Sequence, residues 1–149
     1  MKTREIYLIG ICGIAMGTLA QMFREAGYSV RGSDSNVYPP MSDMLRSAGI
    51  EIYSGFSEKQ VGSPDMVVIG NAISRGNPEV EHVLNKSIPY TSMAGALYTY
   101  FLSGKDVIAV AGTHGKSTTS ALLSHILLSA DMDPSYFVGG VLRNYNTNY

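Results

Sequence analysis

Short apolar runs alternate with amphipathic stretches along most of the chain, and this alternation restricts the fold more than any other feature of the sequence. Glu5–Gly10 (EIYLIG) and Met66–Ile69 (MVVI) have the length and composition of buried strands. Between them, Ile14–Ala26 places its apolar residues at helical spacing. Strands that alternate with helices are typical of a parallel sheet covered on both faces. We therefore predict an α/β fold built around a parallel sheet.

The remaining predicted elements follow the same rhythm. Further strands are predicted at Tyr28–Gly32, Ile50–Tyr53, Tyr90–Ser92, Val107–Ala111 and Tyr136–Val138, and further helices at Pro40–Ala48, Pro78–Asn85, Met93–Leu102 and Lys116–Ser129. Glycine and charged residues interrupt the pattern around Ser103–Asp106. We therefore expect residues 1–104 to form one domain and residues 105–149 to begin a second. The second segment is close to the limit of about 40 residues below which a unit seldom folds alone, so we expect it to pack on the first or belong to a larger domain.

Composition excludes several classes of function. The net charge is −1, so no basic field favours nucleic acid or an anionic membrane surface as a partner. No apolar run approaches the roughly 20 residues of a membrane span, and the first residues lack the apolar region of a signal peptide. The single cysteine, Cys12, rules out an internal disulfide and favours a reducing compartment. We therefore predict a cytoplasmic protein.

The stretch AVAGTHGKSTTS carries the pattern of a phosphate-binding loop. It follows an apolar run and opens a predicted helix, which is the context that such a loop requires. The spacing is shorter than in the usual motif, because Val110 stands where the first glycine is expected and Gly112 follows two residues later. We predict that Lys116 neutralises charge on the β- and γ-phosphates of a nucleotide and that Ser117 offers its hydroxyl to Mg²⁺. An ordinary glycine turn capped by Ser or Thr is the alternative.

Residues after the loop do not complete an ATP site. An ATPase usually holds Mg²⁺ with an acidic residue at the end of a second strand. Asp131 and Asp133 are the only carboxylates after Lys116, and neither follows an apolar strand. We therefore expect the acidic half of the site to lie outside this sequence.

A second glycine-rich turn, LIGICGIAMGTLA, joins the first predicted strand to the first helix. Gly10, Gly13 and Gly17 are spaced differently from the dinucleotide fingerprint, yet glycines at this point let the backbone approach a diphosphate at a helix N-terminus. Asp34 follows the second strand, about where a carboxylate meets a ribose hydroxyl. The pattern indicates a nucleotide or nucleotide sugar, with close helix–sheet packing as the alternative.

The loop after the fourth predicted strand, GNAISRGNPEV, has two interpretations of equal weight. Ligands of open α/β sheets bind at the carboxyl ends of strands, so Asn71, Arg75 and Asn77 could contact a diphosphate or sugar. The loop could also serve only to cap the helix that begins at Pro78.

Two such loops on consecutive α/β segments, the second one containing GTHGKST, resemble the Mur ligase family of peptidoglycan synthesis. The resemblance implies a Rossmann-like UDP-sugar-binding domain over residues 1–104, followed over residues 105–149 by the strand, P-loop and helix that begin a central ATP-binding domain. It implies an ATP- and Mg²⁺-dependent ligase that activates a carboxylate as an acyl phosphate, which an amine then attacks to form an amide. A third domain of the family has no counterpart in this sequence, and we expect these residues alone to form no amide bond.

Site residues are carried over from the resemblance by motif. The implied UDP-sugar-binding residues are Gly10, Ile11, Cys12, Gly13, Ile14, Ser33, Asp34, Asn71, Ala72, Ile73 and Arg75. The implied ATP-binding residues are Gly112, Thr113, His114, Gly115, Lys116, Ser117 and Thr118. Among them Lys116 is the implied catalytic residue, on the transferring phosphate, and Ser117 is the implied metal ligand.

The segments GICGIAMG, GSDSNVYPPMS and IGNAISRGNPEVE are most similar to family members that join UDP-N-acetylmuramate to L-alanyl-γ-D-glutamyl-meso-diaminopimelate. Members that add L-alanine to UDP-N-acetylmuramate are a close alternative. An NAD-dependent oxidoreductase domain and a non-catalytic nucleotide-sugar-binding module remain alternatives of other classes. An unfinished sheet in the second segment would expose strand edges, so we also expect self-association.

Overall fold

The computed structural model describes residues 4–139 and residue 149, and it divides the chain into two compact units, Met1–Ser103 and Gly104–Tyr149. The first unit contains a five-stranded, entirely parallel sheet of order β3-β2-β1-β4-β5. Its strands are β1 (Glu5–Ile9), β2 (Ser29–Asp34), β3 (Glu51–Ser54), β4 (Met66–Ile69) and β5 (Tyr90–Ser92). Its helices are α1 (Ile14–Glu25), α2 (Met41–Ser47), α3 (Glu58–Val61), α4 (Pro78–Asn85) and α5 (Met93–Leu97). A π-helical turn, Tyr98–Leu102, continues α5. The predicted α/β fold is confirmed.

Strand β1 lies at the centre of the sheet and is buried on both faces. Ile6 and Leu8 belong to an apolar cluster on one face, with residues of α1, α2 and α5. Tyr7 and Ile9 belong to a cluster on the other face, with residues of α3 and α4. Because successive side chains of a strand point to opposite faces, this one apolar run supplies the centre of both cores.

The first unit differs from the sequence prediction at a few places. Strand β2 continues to Asp34 rather than ending at Gly32, because its parallel pairing with β1 extends to Ser33 and its pairing with β3 extends to Asp34. The short helix α3 (Glu58–Val61) was not predicted, since four residues are too few for a helical period to show. The helix predicted as Met93–Leu102 changes at Tyr98 from α to π hydrogen bonding.

The second unit contains one helix, α6 (Lys116–Ser129), among the residues that the structure describes. The strands predicted at Val107–Ala111 and Tyr136–Val138 are wrong for these residues, because neither stretch pairs with another strand there and apolar composition alone does not make a ladder. Self-association was expected from exposed strand edges in the second unit. The described residues of that unit form no strand, so self-association stays a prediction without this support. No helix in the described part of the chain has both the length and the hydropathy to cross a membrane.

Helix α4 is anchored at its start by residues of its own loop. The Asn77 side chain accepts hydrogen bonds from the N–H groups of Glu79 and Val80, and Pro78 occupies the first turn. Arg75 forms a two-pronged ion pair with Glu81, whose carboxylate also accepts from the Gly76 N–H at 2.8 Å. These contacts fold the segment between β4 and α4 back onto the helix.

We predict that Gly32→Ala destabilises the first unit. A Cβ at this position would lie 2.3 Å from the Leu8 carbonyl oxygen and 2.9 Å from Ile11 Cδ1, and the carbonyl belongs to the central strand and cannot move aside. Overpacking of this kind costs about 1–3 kcal/mol of unfolding free energy. Urea unfolding measures the change. Gly13→Ala is the matched control, since its Cβ would lie 3.7 Å from the nearest atom at a φ of −64°; equal losses in both variants would contradict the prediction.

We predict a low pKa for Glu81. Hydrogen bonds from Arg75 and from the Gly76 N–H lower the pKa of this carboxyl to about 2. Because the folded-state pKa lies below the unfolded one, the pair stabilises the fold above the ordinary Glu pKa, and this contribution is lost as the pH falls through the folded-state value. A ¹³C NMR titration of the Glu81 carboxyl measures it. In Arg75→Gln the midpoint should move up toward the ordinary value; an unchanged midpoint would show that Arg75 is not the cause.

Candidate functional site

A cleft opens at the carboxyl ends of β1 and β4, where the strand order reverses. The chain leaves β1 through α1 on one face of the sheet and leaves β4 through α4 on the other, so the two connections diverge. Open α/β sheets bind ligands at such a switch point. The cavity has a volume of about 480 Å³, within the range of small-molecule sites. Its lining residues are Gly10, Cys12, Gly13, Ile14, Ala15, Met16, Asp34, Ser35, Asn36, Tyr38, Gly70, Asn71, Ala72, Ile73 and Met93.

The N-terminus of α1 forms one wall of the cleft. Gly13 is the N-cap residue, and within the described part of the chain no side chain caps this helix with a hydrogen bond. The first intrahelical bond runs from the Gly17 N–H to the Gly13 carbonyl, 2.7 Å, so the N–H groups of Ile14, Ala15 and Met16 precede the helical ladder. Because a helix of 12 residues also presents the positive end of its dipole here, this wall is suited to an anion.

Asp34 binds backbone groups within the protein. Its Oδ2 accepts the Cys12 N–H and its Oδ1 accepts the Asn36 N–H, both at 2.9 Å. The side chain is buried although it borders the cleft. Asp34 therefore ties the β1–α1 loop to the segment after β2, and its charge is balanced by two N–H groups. The sequence predicted that this carboxylate meets a ribose hydroxyl, which stays a prediction; the structure shows that it positions two backbone segments.

Most of the residues predicted for the UDP-sugar site line the cleft, and three do not. The lining ones are Gly10, Cys12, Gly13, Ile14, Asp34, Asn71, Ala72 and Ile73. The Ile11 side chain is fully buried in the apolar core, and the Ser33 hydroxyl donates to the buried Glu79. Arg75 is exposed and paired with Glu81. Of the predicted set, these three side chains are engaged elsewhere.

Sequence reasoning missed the segment that follows β2. Ser35, Asn36 and Tyr38 line the cleft, and the Tyr38 side chain is 65% exposed. Polar residues directly after a parallel strand are the signal that identifies such positions. Because the predicted strand ended at Gly32, two residues before β2 ends, the search for such residues stopped short of Ser35, Asn36 and Tyr38. The other missed lining residues are Ala15, Met16, Gly70 and Met93, which carry no polar side chain and no such signal.

Cys12 places a thiol on the wall of the cleft. It is half-buried and is the one cysteine of the sequence. Burial, and then the nearby Asp34 carboxylate, raise the pKa of the thiol to about 11. A thiol with so high a pKa is mostly protonated at neutral pH and is therefore a weak nucleophile.

The predicted phosphate loop lies in the second unit, on exposed residues. Gly115 has left-handed backbone geometry, φ +78°, as the N-cap of α6, and no side chain of the described residues caps this helix with a hydrogen bond. Lys116 Nζ donates to the carbonyl oxygens of Gly112, 2.6 Å, and Thr113, 3.2 Å, so its ammonium group lies over the loop. Ser117 and Thr118 occupy the first turn, while Thr113 and His114 form the loop itself. The seven residues Gly112–Thr118 thus surround one uncapped helix start that carries a cation.

The amino-acid sequence is similar to a ligase family and to individual ligases. Residues 5–103 match the family described as "Mur ligase family, catalytic domain". The UDP-N-acetylmuramate–L-alanyl-γ-D-glutamyl-meso-2,6-diaminoheptandioate ligase of Escherichia coli is 47% identical over 97% of this chain and 32% of its own length. The UDP-N-acetylmuramate–L-alanine ligase of Clostridium acetobutylicum is 41% identical over 98% of this chain and 32% of its own length.

A solved structure agrees with these relatives. The UDP-N-acetylmuramate:L-alanyl-γ-D-glutamyl-meso-diaminopimelate ligase of Neisseria meningitides has a TM-score of 0.94 and 41% identity, covering 99% of this chain and 46% of the other. This chain spans about a third of the length of the curated relatives, 32% in each of the two cases above. The family match covers most of the residues and includes the cleft, so the chain belongs to the Mur ligase family.

Proposed function

We propose that this chain forms the nucleotide-sugar-binding part and the start of the ATP-binding part of an amide-forming ligase of peptidoglycan metabolism. Its substrate is UDP-N-acetylmuramate, and the incoming amine belongs to L-alanyl-γ-D-glutamyl-meso-diaminopimelate. The protein acts in the cytoplasm, which the single cysteine supports.

The cleft at the switch point is the observation that carries the proposal. It joins an uncapped helix start, suited to a diphosphate, to polar and aromatic side chains after β2 and β4, suited to a nucleoside and a sugar. None of its lining residues is Lys or Arg, so the helix start supplies the positive potential. The N–H groups of Ile14, Ala15 and Met16 bind the diphosphate, while Asn36, Tyr38 and Asn71 contact the remainder of the ligand.

The phosphate loop fits the phosphates of ATP. The left-handed Gly115 and the uncapped first turn of α6 present N–H groups, and the Lys116 ammonium group adds a charge. ATP, when bound, supplies the phosphoryl group that activates the substrate carboxylate. With ATP and Mg²⁺ bound, Lys116 would neutralise charge on the transferring phosphate and Ser117 would offer its hydroxyl oxygen to the metal ion. The described residues contain no cluster of three His, Cys, Asp or Glu side chains suited to a metal.

The choice of amine rests on similarity. The relative named for the tripeptide is 47% identical and the one named for L-alanine is 41% identical. Both names include UDP-N-acetylmuramate, so the cleft has the same proposed occupant in either case. In an ATP-dependent ligation assay on the natural gene product, the tripeptide should be joined in preference to L-alanine. The reverse preference would favour the alternative.

We predict that the 149-residue chain binds UDP-N-acetylmuramate in a saturable way, measured by calorimetry. Asn71→Ala removes a polar side chain from the cleft wall and should raise the Kd about fivefold to tenfold, the cost of one hydrogen bond. Asn85→Ala, at the exposed end of α4, is the matched control and should leave the Kd unchanged. No heat with wild type at millimolar ligand would overturn the proposal, and a tighter response to NADH would favour an oxidoreductase domain.

We also predict slow alkylation of Cys12 that the ligand slows further. Because the thiol pKa is about 11, the rate with iodoacetamide should rise about tenfold per pH unit from pH 7 to 10. Saturating UDP-N-acetylmuramate should cover the cleft wall and reduce the rate. The single cysteine makes the reaction readable by intact mass spectrometry. A ligand that binds without protecting Cys12 would show that it occupies another surface.

A further inference from the structure

A buried carboxylate lies beneath the cleft without lining it. Glu79 is fully buried in the first turn of α4. We propose that Glu79 is a positioning residue, which holds the β1–α1 loop against the β4–α4 loop in the arrangement that receives the diphosphate. The inference rests on the proposed function of the cleft and assigns a residue that lies outside it.

Three elements of the first unit donate hydrogen bonds to Glu79. The Tyr7 hydroxyl of β1 and the Ser57 N–H, just before α3, each donate to Oε1 at 3.0 Å. The Ser33 hydroxyl of β2 donates to Oε2. Because the Ser57 N–H can only donate, this arrangement requires an acceptor at the centre, and a carboxylate supplies acceptors on both of its oxygens.

The contact with Ser33 connects Glu79 to the cleft. The Ser33 carbonyl oxygen accepts the N–H groups of Gly10, 2.8 Å, and Ile11, 3.0 Å, at the start of the β1–α1 loop. Ser33 is therefore held by Glu79 through its side chain and holds the loop through its main chain. Gly10 in turn faces Ile73, whose Cγ1 would lie 3.2 Å from a Cβ on Gly10. The two loops that border the cleft thus approach each other at Gly10, the residue whose N–H group binds the Ser33 carbonyl.

The surroundings of Glu79 act on its pKa in opposite directions. Burial raises the pKa of Glu79, and hydrogen bonds from Ser33, Ser57 and Tyr7 oppose that rise, as does the charge of Arg31. The Arg31 guanidinium lies 4.9 Å from the centre of the Tyr7 ring. Arg31 also forms an ion pair with Glu5, so its charge is the smallest of the influences that favour the Glu79 carboxylate.

The test uses the ¹⁵N-labelled 149-residue chain and the near-isosteric variant Glu79→Gln, which replaces one acceptor oxygen by an N–H donor. Amide hydrogen exchange at Gly10 and Ile11 should accelerate about tenfold, with Val67 and Val68 of β4 unchanged. The Kd for UDP-N-acetylmuramate should rise about fivefold or more, whereas the Kd for uridine, which lacks the diphosphate, should change less than about twofold. Glu58→Gln, at an exposed site beside Ser57, is the control and should change none of these values.

Hydrogen exchange at Gly10 and Ile11 can overturn the proposed role of Glu79. Wild-type exchange at Gly10 and Ile11 in a folded Glu79→Gln variant would overturn the proposal, and so would acceleration spread evenly over the sheet. If Glu79→Gln does not fold, Ser33→Ala replaces it, because it removes only the hydroxyl that links Glu79 to the loop. Unchanged exchange in that variant would also overturn the proposal. The exchange measurement needs no ligand, so it separates this inference from a failure of UDP-N-acetylmuramate to bind.

Discussion

Strand β1 is hydrogen-bonded on both sides, to β2 and to β4, and the rest of the first unit depends on these two parallel ladders. They place Ile9 beside Ser33 on one side and beside Ile69 on the other. Three loops therefore leave the sheet at one edge and next to one another. The buried, alternating side chains of β1 supply the centre of both cores, so the strand cannot shift in register without exchanging one core for the other. The position of the cleft follows from this constraint.

Much of this arrangement could be predicted from sequence because the signals are local. Strand β4 is a fully apolar run, and helix α4 has an N-cap residue, a proline in its first turn and a helical period, so the bounds of both elements are correct. Helix α6 was likewise predicted at its observed bounds. Strands Val107–Ala111 and Tyr136–Val138 were predicted from apolar composition alone. A strand also needs a partner, and local sequence does not provide that information.

The candidate site was predicted in position but only partly in its residues. The rule that ligands bind at the carboxyl ends of strands found Asn71 and the glycine loop. It could not show that Ile11 points into the core or that Ser33 donates to Glu79, since both depend on contacts between residues distant in sequence. Arg75 was predicted as a ligand contact because it follows a parallel strand and carries a positive charge. Only the structure shows that Glu81, six residues later, engages both prongs of its guanidinium group.

The two uncapped helix starts differ in charge, and the difference matches two tasks. Helix α1 presents N–H groups beside a cleft without Lys or Arg in its lining, whereas α6 begins with Lys116 folded over its own loop. A diphosphate that is only held in place needs oriented donors, and its charge does not change during binding. A phosphate that is transferred changes its charge distribution in the transition state, and a cation held beside it stabilises that change. The distribution of lysine therefore supports the proposal that the first loop orients a substrate while the second takes part in its activation.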